Sequence, residues 1–571
     1  MFNHLPRSYE EYASAPWETY QTFYDQLETH PLTPHTLHEW MSGWSWVMEL
    51  LGEVSSRLYV AYVQNTTDEE AEKRFFAFLE TIEPQTRAAD QKLTVKLLES
   101  GLVPAGMDIP VKAMRVDADL FRDENLPLIT EERKLASEYD KIAGAWTIPW
   151  DGEEQTITGL QIPYQSADRA TREAIWRAAD ARRLVDRDAI DDLWTKMLAL
   201  RVQMAQNAGF PEYRAYRWQQ LHRFDYTPAD NETFHRAIEE KVVPVATRIY
   251  EKRARALGVD TLRPWDLDLE HGVYPFQFPS LVPFTDVAAL DAQCAVIFHK
   301  VDPQLGAYYV EMQEKGMLDL DNRKGKGPGA FCTYYPITDS PFIFGNAVGM
   351  HDDVQMLLHE AGHAFHGFET RRLPYLPQRF TGMEFAEVAS MGMELLAAPY
   401  LTAEQGGFYT PQDAARARIE HLEKNLLFWP YMAVVDAFQH WAYTHADEAQ
   451  TPAHRDAKWG ELWARFIPGV DWSGLEDACV TGWHRKGHIH GYPFYYVEYG
   501  LAELGAVQVW ANALRDQAGA VAAYRHALSL GGTAPLPELF KAAGARFAFD
   551  AETVGEAVGL MERVLKELEE I

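Results

Sequence analysis

The 571-residue chain has only three cysteines, Cys294, Cys332 and Cys479, an odd number spread far apart. That scarcity excludes a disulfide framework and fits a reducing compartment. Positive charge is also short: 53 Lys and Arg stand against 84 Asp and Glu, a formal net charge of −31. So acidic a surface argues against nucleic acid and anionic membranes, which are bound through clustered Lys and Arg. Peptides stay open as partners, because their recognition is local. No apolar run approaches the roughly 18 residues of a membrane span. The opening MFNHLPRSYEEYASAPWETY lacks the charged-then-apolar pattern of an export signal, so the expected location is the cytoplasm. Repeats and low-complexity stretches are missing too. What remains is a globular composition, 47% hydrophobic and 13% aromatic, in a chain long enough to exceed one ordinary domain.

Helical periodicity dominates. Trp40, Trp44, Val47, Met48 and Leu51 form one helical stripe, and the charged stretch from Thr67 to Ser100 reads as a helical hairpin with solvated faces. Asp151-Gly152 between two short β-like runs, Trp146 to Trp150 and Gln155 to Ile162, predicts a small β-hairpin. Helix returns from Ser166 to Ala208 and stops at Gly209, residues 258–284 are irregular, and helices follow from Pro411 onward. A soft boundary near residue 190 divides an N-terminal helical region, 1–190, from a region 191–571. One continuous helical body remains an equal reading.

The chemistry concentrates in LLHEAGHAFH. His359 and His363 are four apart, so on a helix both imidazoles share one face, about one turn apart. That spacing suits two nitrogens of one zinc site, and Glu360, about 100° around, can take a proton from a water there. Chance alone gives such a pattern in roughly one chain of this composition in twenty, so context has to decide. The run Asp353 to Glu369 reads as a helix with Asp353 as N-cap and an apolar stripe of Val354, Leu357, Leu358, Ala361, Phe365 and Phe368. Gly362 costs helix stability, and either small size for packing or close approach of another backbone or a substrate explains it.

A catalytic zinc needs a third protein ligand and one open position. The helix-like MEFAEVASMGMELLAAPY offers Glu384, Glu387 and Glu394 among mostly apolar neighbours. Glu387 is the expected ligand, Glu394 on the same face a carboxylate orienting a ligating imidazole, and Glu384 the competitor. Farther on, His484, His488, His490, Tyr492, Tyr495, Tyr496 and Tyr499 crowd together, with Pro493 suited to a helix's first turn. Such hydroxyls can donate to a developing oxyanion, and an aromatic core stripe is the competing reading. Ahead of the motif, Gly325, Gly327 and Gly329 lack the context of a phosphate cradle. Ala330 to Tyr335 and Pro341 to Phe344 read as short strands, Pro341 suiting an edge.

The stretches FCTYYPITDSPFIFGNAVGMHDDVQMLLHEAGHAFHGFE, EVAS, HIHGYPFYYVEYGLA and PWDLD together resemble the oligoendopeptidase F and thimet oligopeptidase family of zinc peptidases, with the nearest look to bacterial Pz-peptidase-like members. The match is specific over about residues 325 to 510. The resemblance implies a mainly α fold, a two-lobed helical body around a deep substrate channel with a small β-sheet beside the catalytic helix. It implies hydrolysis of short peptides with one zinc per chain, the third ligand in E-x-x-S, hence Glu387, and strand addition of substrate to a sheet edge. Substrate contacts carry over to His488, Tyr492, Tyr496 and Tyr499; the spacing leaves His484 or His490 open in place of His488, and Tyr495 in place of Tyr496. The expected function is a zinc-dependent endopeptidase of oligopeptides with Glu360 as general base. A non-catalytic peptide-binding helical protein and a zinc aminopeptidase are the alternatives.

Overall fold

The computed structural model describes residues 9–157, 159–276 and 279–571. Helices dominate it, as the periodicity predicts, with a two-stranded and a three-stranded sheet between them. The chain forms two compact units. One comprises Met1–Asp119, Leu281–Ala414 and Gly505–Phe547; the other comprises Leu120–Ser280, Ala415–Leu504 and Ala548–Ile571.

In the first unit, helix Leu37–Gln64 buries Trp40, Trp44, Val47 and Leu51 on the stripe its spacing marks out. The charged stretch that follows is two helices, Glu69–Thr81 and Glu83–Ser100. Asp68 starts the first by accepting the N–H groups of Glu70 and Ala71 at 3.0 Å each.

The sheet of this unit has the order Leu318–Asp321, Ser340–Ala347, Phe331–Tyr335. Its last pair is an antiparallel hairpin, but the first strand lies parallel to the middle one. Pro341 therefore sits in the central strand, contrary to its edge assignment. It does so without breaking a ladder bond. Ile343 N–H donates to Met317 C=O at 3.0 Å on the side of the parallel strand, whose pairing begins with Leu318 opposite Ile343. The Pro341 nitrogen, two residues back on that same side, precedes the start of that pairing. Within the sheet, Phe331–Tyr335 is the edge strand of the hairpin.

The HEAGH motif lies on helix His351–Thr370. Asp353 is not its N-cap. The helix begins two residues earlier, and from its third position the Asp353 carboxylate accepts the N–H groups of Val348, Gly349 and Met350 at 2.8 Å each. One acidic side chain thereby satisfies three donors of the turn that leads into the helix.

In the second unit, Thr147–Trp150 and Glu153–Thr156 form the expected hairpin; of the longer predicted run to Ile162, residue 158 lies outside the described residues. Asp151 and Gly152 take φ of 52° and 84°, the left-handed pair that a two-residue turn requires. The helical stretch after Ser166 is two helices, Arg169–Val185 and Arg187–Asn207, parted at Asp186, and Gly209 ends the run at φ 82°. PWDLD forms a single 3₁₀ turn, Pro264–Asp266, in an otherwise irregular stretch. Asp266 is fully buried there and binds Arg169 at 2.7 Å and Arg172 at 3.2 Å.

Candidate metal centre

Helix Met383–Ala397 packs against the motif helix in the first unit. Gly362 is what lets the two backbones meet. A Cβ added at Gly362 would fall 2.6 Å from Ser390 Cα and 2.8 Å from the carbonyl carbon of Ala389. Of the two explanations open in the sequence, close approach of another backbone is the one observed. Tyr524, from helix Gln517–Ser529, donates its hydroxyl to the same Ala389 C=O at 2.5 Å.

This packing brings His359, His363 and Glu387 together. Nε2 of His359 lies 3.4 Å, and Nε2 of His363 3.5 Å, from Oε2 of Glu387, and the two imidazole rings are 5.0 Å apart at 83°. Their donor atoms lie within 4.8 Å of one another. Glu384 is buried on the same helix but is not in this group. Ser390 Oγ donates to Glu387 Oε2 at 2.8 Å and fixes the carboxylate's rotamer. The signal for this serine in the sequence is the E-x-x-S spacing, which puts Ser390 three residues along one helix from Glu387. Nδ1 of His359 lies 2.7 Å from Oε1 of Glu394, the relation expected of an orienting carboxylate.

Electrostatics follow from this crowding. Burial works against a charged His359, but the Glu387 and Glu394 carboxylates outweigh it and hold the imidazole well above its usual range. Burial likewise favours a neutral Glu387, yet hydrogen bonds from His359 and His363 hold its carboxyl well below the usual carboxylate range. Two imidazoles and one carboxylate whose donor atoms converge suit a divalent ion: nitrogen, nitrogen and oxygen.

Glu360 is 8% exposed, and burial pushes its carboxyl up. It lies beside Cys332 of the edge strand, whose thiol burial and the Glu360 charge push up in turn. Cys332 is thus a protonated, half-buried thiol, in line with a structural reading. His366, which follows the motif, is buried against Phe385, and burial keeps it neutral, down to about 4.

The histidine- and tyrosine-rich segment belongs to the second unit. The ring of His488 meets Tyr492, Tyr495, Tyr496 and Tyr499 at centroid distances of 6.2, 5.9, 5.1 and 6.2 Å. His484 and His490 are fully buried instead. His490 stacks on Tyr139 at 3.9 Å, and His484 lies among Asp191 and Asp456. Tyr492 is 63% exposed, Tyr496 is buried, and Tyr495 and Tyr499 lie between. Pro493 does not enter a helix's first turn, since helix Tyr496–Ala513 begins three residues later. Between them Phe494 takes φ 67°, a rare conformation for a bulky residue. It is held there by its N–H to Gln439 Oε1 at 2.8 Å and by Arg223 donating to its carbonyl at 2.5 Å. Burial pushes the Tyr496 hydroxyl well above its ordinary range, so it remains a donor at neutral pH.

The model of peptidase family M3 matches residues 163–557. Among curated proteins, oligopeptidase PepF of Bacillus subtilis (strain 168) is 25% identical over 339 residues, which is 58% of this chain and 48% of that relative. The chain thus aligns with about half the length of the curated relative it matches. Among solved structures, a Pz peptidase A with an inhibitor superposes with a TM-score of 0.85 at 26% identity, over 99% of both chains. One described as oligoendopeptidase F gives 0.84 at 28%, over 99% of this chain and 98% of that one. A third, from Bacillus anthracis str. Ames, shares the fold with a TM-score of 0.80 at 23%, over 99% and 98%.

Proposed function

This chain belongs to peptidase family M3, and on that premise we propose that it is a zinc-dependent endopeptidase acting on short peptides. The observation that carries this reading is the approach of His359 Nε2 and His363 Nε2 to within 3.4 and 3.5 Å of one Glu387 oxygen, with Glu360 beside them and outside the trio. His359, His363 and Glu387 would hold one zinc per chain. Zinc in such a site supplies Lewis acidity, lowering the pKa of a water toward about 7 and polarising a carbonyl.

The chain's own groups do the rest. Glu360 accepts the proton of the attacking water and returns it to the leaving amine. Its raised pKa supports a proton-transfer role, because an acid so poised can hold the proton between the two steps. Glu394 fixes the His359 tautomer, and Ser390 fixes Glu387. His488, Tyr492, Tyr496 and Tyr499 are the proposed substrate contacts, with the tyrosine hydroxyls as oxyanion donors. Their support is the family resemblance and the grouping of their rings around His488.

A limit to short substrates belongs to the same proposal, as do residues 191–571 as the catalytic region; the family match itself begins at residue 163. Cytoplasmic action is supported by three cysteines that remain free thiols. Among the described residues, no helix is long and apolar enough to cross a membrane.

Glu360→Gln tests the reading. It should retain zinc and lose hydrolysis by at least two orders of magnitude. Normal turnover in that variant would refute the base. A non-catalytic peptide binder would show neither stoichiometric zinc nor hydrolysis. An aminopeptidase would stall on an acetylated peptide that an endopeptidase cleaves.

A further inference from the structure

Among the described residues of the second unit, six Arg and Lys side chains are buried: Arg172, Arg183, Arg201, Arg223, Arg455 and Lys486. The five arginines each hold a carboxylate. Arg172 binds Asp266 at 3.2 Å, Arg183 binds Asp180 at 2.5 Å and Arg201 binds Glu132 at 2.6 Å, while Arg223 binds Glu498 and Arg455 binds Asp191 at 2.7 Å each. Lys486 is the exception. Its residue is 8% exposed, yet among the described residues no carboxylate oxygen lies within 4.0 Å of its Nζ. Its neighbours are aromatic faces: Nζ stands 4.2 Å from the ring centroid of Tyr496 and 5.6 Å from that of Tyr431.

The Glu270 and Asp268 charges favour its ammonium only from beyond ion-pair distance. Asp268 is committed to its own loop, accepting backbone N–H groups of His271, Val273 and Tyr274 at 2.6, 2.9 and 2.8 Å and the His271 ring nitrogen at 3.1 Å. The Glu270 side chain is 71% exposed and turns toward His271 Nε2 at 3.7 Å. A largely buried ammonium set against ring faces, with no direct ion pair, gains from an anion brought to it. Burial accordingly pushes Lys486 down to about 8.

The position of this cation is informative. The Tyr496 ring that it covers is the ring that His488 meets at 5.1 Å, and His488 is two residues away along the chain. We propose that Lys486 binds a carboxylate of the peptide substrate, so that the enzyme selects peptides with an anionic group at one fixed position. The proposal rests on the reading of His488 and its tyrosines as substrate contacts. A carboxylate completes at Lys486 the pairing that each of the five arginines finds within the protein. The free C-terminus and an acidic side chain offer the same chemistry, and the test separates them.

Matched acetylated peptides differing only in C-terminal acid against amide, or in one internal Glu against Gln, are titrated onto the zinc-loaded wild-type protein for Kd and assayed for kcat/KM. The wild type should favour the anionic member of one pair by roughly ten- to a hundredfold, the range of one charge-assisted hydrogen bond. The acid–amide pair identifies a terminal carboxylate, and the Glu–Gln pair a side chain. Lys486→Met should collapse that ratio toward one, and Lys486→Arg should keep most of it. Lys486→Gln, with a polar head, stands in should the Met variant fail to fold. Ratios below twofold for both pairs in the wild type overturn the proposal, and so does a preference undiminished in Lys486→Met. Should the wild type bind these peptides without cleaving them, the Kd ratios still decide Lys486, and the missing hydrolysis counts against the endopeptidase reading alone.

Discussion

Nδ1 of His359 lies 2.7 Å from Oε1 of Glu394, which leaves the ring's other nitrogen, Nε2, to face Glu387. The carboxylate thus selects the tautomer that can bind metal. Glu394→Gln should weaken zinc affinity by roughly ten- to a hundredfold, while the free protein keeps its fold. Competition against a chelator of known affinity measures this, and an unchanged zinc Kd would remove Glu394 from the orienting role.

Gly362 has the backbone of Ala389 and Ser390 against it, with no space for a methyl group. Gly362→Ala would gain intrinsic helix propensity, yet it must push the two helices apart. The overpacking term, about 1–3 kcal/mol, exceeds the roughly 1 kcal/mol of propensity. A lower Tm is expected together with weaker zinc retention, because the same contact sets the distance from His359 and His363 to Glu387. A variant as stable as the wild type with full zinc would contradict this account of the glycine.

Asp90 gives a pH signature in stability. Its Oδ1 accepts from Trp44 Nε1 at 2.7 Å and from Tyr24 hydroxyl at 3.1 Å, but burial outweighs both and raises the carboxyl from 3.8 to about 6. A raised acid binds its proton more tightly in the folded state. Its stabilising contribution is therefore complete below about pH 4 and is lost as pH rises through about 6. Asp90→Asn keeps an acceptor for both donors without the charge. Above pH 6 it should raise Tm relative to the wild type, and the gain should fade toward pH 4. Thermal unfolding across that window is the measurement, and a pH-independent difference would exclude Asp90 as the source.

Tyr496→Phe removes one hydroxyl and keeps the ring contacts with Phe428, Tyr431 and His488. If that hydroxyl donates to the oxyanion, kcat should fall by roughly 10²–10³ with little change in KM. Unchanged kcat would leave Tyr496 a packing residue.

Local patterns made the motif legible. The i, i+4 histidines, the apolar stripe and the Asp151-Gly152 turn depend on neighbours in sequence, and each lies where its spacing indicates. Glu387 is legible as a candidate ligand from its place on a largely apolar helix, but 24 residues and a change of helix separate it from His363, and only the resemblance decides between it and Glu384. Non-local geometry escaped the sequence. Pro341 reads as an edge residue until the parallel strand Leu318–Asp321 is known, because nothing near Pro341 announces that partner. Gly362 admits two explanations in the sequence because the backbone that meets it comes from another helix. Asp353 reads as an N-cap because the N–H groups it accepts belong to residues before the apolar stripe begins. Pro493 reads as a helix start because nothing in the local sequence announces Gln439 and Arg223, buried partners that hold Phe494 in a left-handed turn that propensity disfavours.

Zinc content of the purified protein and of Glu387→Ala tests the central claim most directly. The account predicts one zinc per wild-type chain, hydrolysis that a chelator abolishes and one equivalent of zinc restores, and loss of both metal and activity in Glu387→Ala. A Glu387→Ala protein that keeps one zinc at wild-type affinity, or metal-stripped wild type that still cleaves peptides, would contradict it.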